Sequence, residues 1–402
     1  MSVTTVDVDG SRLRDTSLFT RWDLWLILVS IILSLPILVV FGSIFVPDVE
    51  LWRHLYETVL FDYISNSLLL MLGVGVLTLM IGIIPAWLVT MYRFPGSHVL
   101  EWAMLLPMAM PAYIIAYTYT GILDVAGPIQ TGLREITGWQ YGEYWFPDVR
   151  SLGGAISMLS LVLYPYVYLL ARAAFIEQSI CVLEVARTLG CNAFGAFYKV
   201  ALPLARPAII VGLSLVLMET LADYGTVQYF GIAAFTTGIF RTWFGLGNSA
   251  VAAQLSALMM IFVLLLILLE RWSRHRQQYH HTSARYSTLL QKKLVHGFAI
   301  TATVICSIPV VIGFLIPFGF LLQWAWQTYP DVIDASFFLL VTNSVLLAVV
   351  AASLALLFAL FLAYGKRRYP SLLVKFAIRF TGMGYAIPGT VIAVGVMLPF
   401  AW

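Results

Sequence analysis

Charge is scarce in this chain. Asp, Glu, Lys and Arg together make up 11% of its 402 residues, against 61% apolar. A soluble domain carries about 25% charged residues, so a water-exposed globule is excluded. Cysteine is scarcer still: Cys181, Cys191 and Cys306 are too few and too scattered for a disulfide framework or a zinc site. The phosphate-binding pattern G-x4-G-K-[ST] is missing. Gly365-Lys366 comes nearest, but it has no glycine five residues earlier and no Ser or Thr after it. ATP hydrolysis by that loop is excluded. The start of the chain does not read as a cleavable leader either. Residues 1–23 hold four aspartates and three arginines, and the apolar run that follows is of full-span length.

What is present is a series of apolar runs, each of about 20 residues and able to cross about 30 Å of hydrocarbon as a helix. The expected fold class is an all-α polytopic membrane protein with about nine spans. They are placed at 24–46, 66–90, 100–122, 152–174, 207–229, 249–270, 297–322, 340–364 and 380–402. Of the 23 lysines and arginines, only Arg53, Arg134, Arg150 and Arg241 fall on the side opposite the N-terminus. That bias orients the N-terminus to the cytoplasm. The expected organisation is a cytoplasmic N-terminus (1–23), a first transmembrane domain (24–270) with a cytoplasmic loop at 176–206, a linker (271–296) and a second transmembrane domain (297–402). His275, His280 and His281 lie in the linker, where a basic, solvated strand near anionic lipid accounts for them better than a metal site does.

The loop carries the sharpest pattern. Glu184-x-Ala186, then Gly190, then Val200-x-Leu202-Pro203 sit in a polar stretch between two apolar spans. Gly190 permits a sharp turn in left-handed backbone, and Pro203 and Pro207 mark where a new helix can begin. A short helix, a turn and a second helix are expected, presented on one face of the membrane and suited to a groove on a partner.

In the span after the loop, Glu219 and Asp223 are four apart and so share a helix face. Counted from position 207, they lie about 18 and 24 Å into the membrane. Carboxylates at that depth face a cavity rather than lipid, so Glu219, Asp223 and the adjacent Tyr224 are candidates for a substrate path. The competing reading is structural, with both groups bonded to neighbouring helices. Tyr113, Tyr117, Tyr119, Tyr164, Tyr166 and Tyr168 offer hard oxygen donors, but an aromatic belt at the interfaces explains most of them better. Pro107, Pro111 and Pro165 are expected to kink their spans.

The chain also repeats itself. Asn66-Ser67 and Asn343-Ser344, Ala86 and Ala363, Tyr92 and Tyr369, and Pro111 and Pro388 are all separated by 277 positions. Two homologous halves of the same orientation are expected. That offset places a second loop near position 461, so the chain reads as lacking its C-terminal part.

The spacing E-x-A-x3-G-x9-[IV]-x-L-P resembles the cytoplasmic coupling loop of ABC importer permeases. The stretches ETLADYGTVQYFG (219–231) and FTTGIFRTW (235–243) are similar to those of ferric-iron ABC importer permeases with two fused halves. The resemblance implies a type I importer permease fold with two tandem transmembrane domains in a bacterial inner membrane. It implies a cytoplasmic ATPase dimer and a periplasmic substrate-binding protein as partners. Glu184, Ala186, Arg187, Gly190, Val200, Leu202 and Pro203 become ATPase-coupling residues. The chain itself is expected to have no catalytic residue, no cofactor and no nucleic-acid partner. Thiamine and phosphonate permeases share the general plan, so those solutes stand as alternatives to iron. A different class, an ion-coupled secondary transporter using Glu219 and Asp223, would leave the loop spacing unexplained.

Overall fold

A backbone in hydrocarbon must satisfy its own hydrogen bonds, and long apolar runs do so as helices. A computed structural model describes residues 21–46, 48–177, 188, 190, 192–275, 291–368, 371–382, 384 and 387–400. The helices are α1 (Arg21–Gly42), α2 (Val49–Thr58), α3 (Leu60–Met91), α4 (Ser97–Ala103), α5 (Ala112–Leu123), α6 (Pro128–Thr137), α7 (Leu152–Glu177) and α8 (Leu202–Ala222). They continue as α9 (Gly225–Tyr229), α10 (Phe235–Phe240), α11 (Ser249–His275), α12 (Gly297–Val310), α13 (Ile316–Val332), α14 (Ala335–Arg368), α15 (Leu372–Thr381) and α16 (Gly389–Met397). Among the described residues, seven helical stretches are long and apolar enough to cross a membrane, or eight with one bent pair.

Three expected spans differ from the simple picture; the one at 207–229 ends its long helix at Ala222. The one at 100–122 is broken: Ser97–Ala109 and Ala112–Thr137 meet at 90°. Met110 is extended there (φ −104°, ψ 123°), because Pro111 disfavours helix in the residue before it. Prolines therefore bend this span, as expected of Pro107 and Pro111. Among the described residues the one at 380–402 holds a short apolar helix, Gly389–Phe400, too short to count as a span. Pro388 stands before it with ψ 138°, much as Pro111 stands before α5 with ψ 139°.

The chain divides into two compact units. In the one that joins residues up to Leu35 with Ala335–Gly384, Leu26, Leu362 and Val374 form a small core. Most of α14 is exposed, Asn343 and Ser344 included. The other unit, Pro36–Asp334 with Tyr385–Trp402, is built on α3, α7 and α8, which pack on one another.

Two glycines let those helices approach. A Cβ on Gly82 of α3 would lie 3.0 Å from the Tyr168 backbone nitrogen, and one on Gly212 of α8 would lie 3.0 Å from the Val167 Cα. Segment 166–168 of α7 is thus clasped from both sides by small residues, the usual means of close helix packing in membranes. On the side of the linker, Tyr92–Arg93 pairs in parallel with Lys292–Lys293.

Candidate coupling loop and translocation path

Gly190 adopts φ +86°, and among the described residues no atom lies within 4 Å of a Cβ placed on it. Left-handed backbone of this kind is what glycine adopts without strain. Asn192 then accepts a hydrogen bond from the Gly195 N–H at 2.7 Å, capping the short helix Ala193–Ala196. A π-turn, Phe197–Ala201, contains Val200. Leu202 opens α8 and Pro203 falls in its first turn, where a missing N–H costs nothing. Pro207 lies inside α8 instead of starting a helix. Glu184, Ala186 and Arg187 lie outside the described residues.

The exit of the loop is wedged into the bundle by aromatic rings. Phe197 packs on Trp87 of α3 at 5.2 Å and on Phe175 of α7 at 6.4 Å. Trp87 and Phe175 meet edge to face at 5.3 Å, a geometry rings prefer. Sequence reasoning missed this triad because its members come from three separate spans.

A second connection joins α7 to the bent span. Arg172 pairs with Glu101, both partly buried, and the Arg172 guanidinium lies 5.9 Å from the Trp102 ring centroid. The Tyr168 hydroxyl donates to the Glu101 carbonyl at 2.8 Å, and the Tyr164 hydroxyl donates to the Met104 carbonyl at 2.8 Å. Tyr164 and Tyr168 are fully buried. They are ties between helices, not members of an interfacial belt.

Glu219 and Asp223 do not share a helix face. Glu219 is exposed on α8, whereas Asp223 follows the helix end in extended backbone (ψ 125°). The physical reason is a cap: Asp223 Oδ1 accepts from the N–H groups of Thr226 at 3.0 Å and Val227 at 3.1 Å. Its Oδ2 accepts from the Thr226 hydroxyl at 3.1 Å. A carboxylate before two free N–H groups starts α9 and so ends α8. Gly225, the first residue of α9, sits 3.2 Å (as a hypothetical Cβ) from the Tyr113 side chain of α5.

The loop after α9 is held to α3 by Asn66, whose Nδ2 donates to the Ala233 carbonyl at 2.9 Å. Ser67 helps by accepting from the Phe235 N–H at 3.2 Å. Beside this break lies a cavity of about 350 Å³ lined by Tyr63, Tyr224, Gln228, Thr237, Phe240 and Arg241, among others. Of the three path candidates, Tyr224 lines it.

Residues 78–278, which enclose the loop, the broken helix and the cavity wall from α9 to Gly245, match the family of binding-protein-dependent transport system inner membrane components. The Fe(3+)-transport system permease protein FbpB 2 of Haemophilus influenzae is 26% identical over 382 residues, covering 93% of this chain and 71% of its own. The ferric transport system permease protein FbpB of Actinobacillus pleuropneumoniae is 25% identical over 380 residues, 89% of this chain and 54% of its own. The molybdenum transport system permease protein ModB of Haemophilus influenzae is 26% identical over 207 residues, 50% of this chain and 87% of its own. With half its length matched to the family, this multi-pass membrane protein belongs to the binding-protein-dependent transport system inner membrane components, as the permease of an ABC importer.

Proposed function

We propose that this permease carries ferric iron across the inner membrane, received from a periplasmic binding protein and driven by a cytoplasmic ATPase dimer. The observation that carries the substrate is coverage: the ferric relative aligns over 93% of the chain, the molybdenum permease over half. ATP hydrolysis belongs to the separate subunit, and this chain converts its motion into a change of access. The N-terminus faces the cytoplasm, on the lysine- and arginine-rich side.

Loop 176–206 docks on the ATPase. Glu184 and Arg187 supply polar contacts, Ala186 and Gly190 allow close approach, and Val200, Leu202 and Pro203 lead the motion into α8. The push then reaches α3 and α7 through Phe197, Trp87 and Phe175, and the bent span through Arg172 and Glu101. It ends at the Asp223 break, beside which Glu219 and Tyr224 are placed along the substrate path. Two tandem repeats, 24–270 and 297–402, account for the shared offset, and the matching backbone of Pro111 and Pro388 supports them.

The ion-coupled alternative would use Glu219 and Asp223 for a cation, and Asp223 is the one of the two held in the break. Its oxygens already accept three hydrogen bonds, which favours the ATP-driven reading. The test is radio-iron uptake by cells with the locus deleted and then restored, in competition with unlabelled iron, thiamine, phosphonate, molybdate and sulfate. Uptake that vanishes, returns and is blocked by iron alone is the expected result. Iron uptake unchanged by deletion would remove iron from the account.

A further inference from the structure

Four arginines break the charge bias by lying on the lysine-poor side: Arg53, Arg134, Arg150 and Arg241. Three have evident partners. Arg53 pairs with Glu57 one helical turn away. Arg134 donates to the Val125 carbonyl, the Thr131 hydroxyl and the Tyr144 hydroxyl. Arg150 pairs with Asp124 and lies over the Tyr229 ring. Arg241 has no carboxylate partner among the described residues. With Tyr63 it lines the cavity beside the α8–α9 break.

Arg241 is itself exposed, and one wall of its cavity is rigid. Tyr63 is only 1% exposed, and its ring is so close to α10 that a Cβ on Gly238 would overlap it at 2.5 Å. Tyr63 is therefore a fixed wall of the cavity that Arg241 also lines. Gln228 and Tyr224 add an amide and a phenol from α9 and its approach. Among the described residues no aspartate or glutamate lines this cavity; Asp62, next to Tyr63 in sequence, is exposed outside it. The guanidinium charge repels a bare trivalent cation, and its N–H groups, with the amide NH2 and phenol O–H groups, offer donors to oxygen anions. At about 350 Å³, the space corresponds to roughly a dozen waters, enough for an oxyanion with part of its hydration shell or for a small polycarboxylate.

We propose that this cavity is an anion subsite, in which Arg241, sharing the wall with Tyr63, Gln228 and Tyr224, receives the oxygen atoms of a carboxylate or an inorganic oxyanion. The fork of the guanidinium suits either group. The site goes beyond the iron reading and does not rest on it: it recognises an anion, whether that anion travels alone or as the chelate of a metal.

The test is equilibrium dialysis on the full chain, purified in detergent, with radiolabelled sulfate, phosphate, molybdate and citrate, without iron or ATPase. The wild type is expected to bind at least one of them saturably. Arg241→Gln should weaken that binding by at least about tenfold, the loss of one charge-assisted contact, and Arg241→Lys should restore part of it. Tyr63→Phe should weaken it less than Arg241→Gln does. Binding of the inorganic ions alone assigns the site to an oxyanion, and binding of citrate alone to an organic carboxylate. No saturable binding by folded wild type, or equal binding by wild type and Arg241→Gln, overturns the proposal. An unfolded Arg241→Gln moves the comparison to Arg241→Lys and Tyr63→Phe, where affinities equal to wild type overturn it as well.

Discussion

Replacing Asp223 separates a helix cap from a charge in the substrate path. Asp223→Ala removes the acceptor of two backbone N–H groups and one hydroxyl. Loss of an N-terminal cap costs about 0.5–2 kcal/mol, and hydrogen bonds to a charged group are worth about 1.5–3 kcal/mol. The variant should therefore lose about 2 kcal/mol, since water repays part of the loss at a partly exposed site. Asp223→Asn behaves differently. Asparagine caps helices about as well as aspartate, and its carbonyl oxygen can replace Oδ1 toward both N–H groups, so its cost should be about 1 kcal/mol or less. The assay pairs thermal unfolding of the purified chain with uptake by cells carrying each variant. The cap account predicts that Asp223→Asn keeps most of both and Asp223→Ala loses stability and uptake together. Uptake abolished by Asp223→Asn with unchanged unfolding would refute it and return the charge to the path.

Removing Arg172 as Arg172→Ala should cost about 2 kcal/mol, below the 3–5 kcal/mol of a fully buried pair, because both side chains are about one-fifth exposed. The double variant with Glu101→Ala should recover part of that loss; singles and double as stable as the wild type would show that the pair is idle. Gly212→Val puts a side chain against α7 backbone only 3.0 Å away and should destabilise the chain by about 1–3 kcal/mol or more. By contrast Gly132→Ala, with nothing within 4 Å, should be neutral or slightly stabilising; equal melting of the two would contradict the close packing.

The spans were legible because hydrocarbon rewards unbroken apolar runs, and Leu60–Met91 or Leu152–Glu177 need no more than that. Gly190 was legible too, since a glycine between two helical stretches announces a left-handed turn. Breaks were harder. Pro111 signals one openly, but Asp223 sits in an apolar run and stops its helix by capping the next, so counting residues along a continuous helix put it one turn above Glu219 on the same face. Asn66-Ser67 stood out as a repeat marker, while its work, holding the loop at 233–235, depends on a partner more than 160 residues away. Arg241 was visible as an exception to the charge bias, and only the fold shows that the other three exceptions are paired.

The account rests on an ATPase docked at the Gly190 turn. A tagged chain should be drawn from its native membranes and ATP hydrolysis measured in the recovered material, for wild type, Gly190→Asn and Gly190→Val. Asparagine tolerates left-handed backbone whereas a β-branched residue does not, and the Cβ that either adds meets no described atom within 4 Å. The prediction is hydrolysis with wild type and Gly190→Asn, and its loss with Gly190→Val present in the membrane at normal amount. Wild type recovered without hydrolysis, or Gly190→Val with it undiminished, would contradict the coupling role.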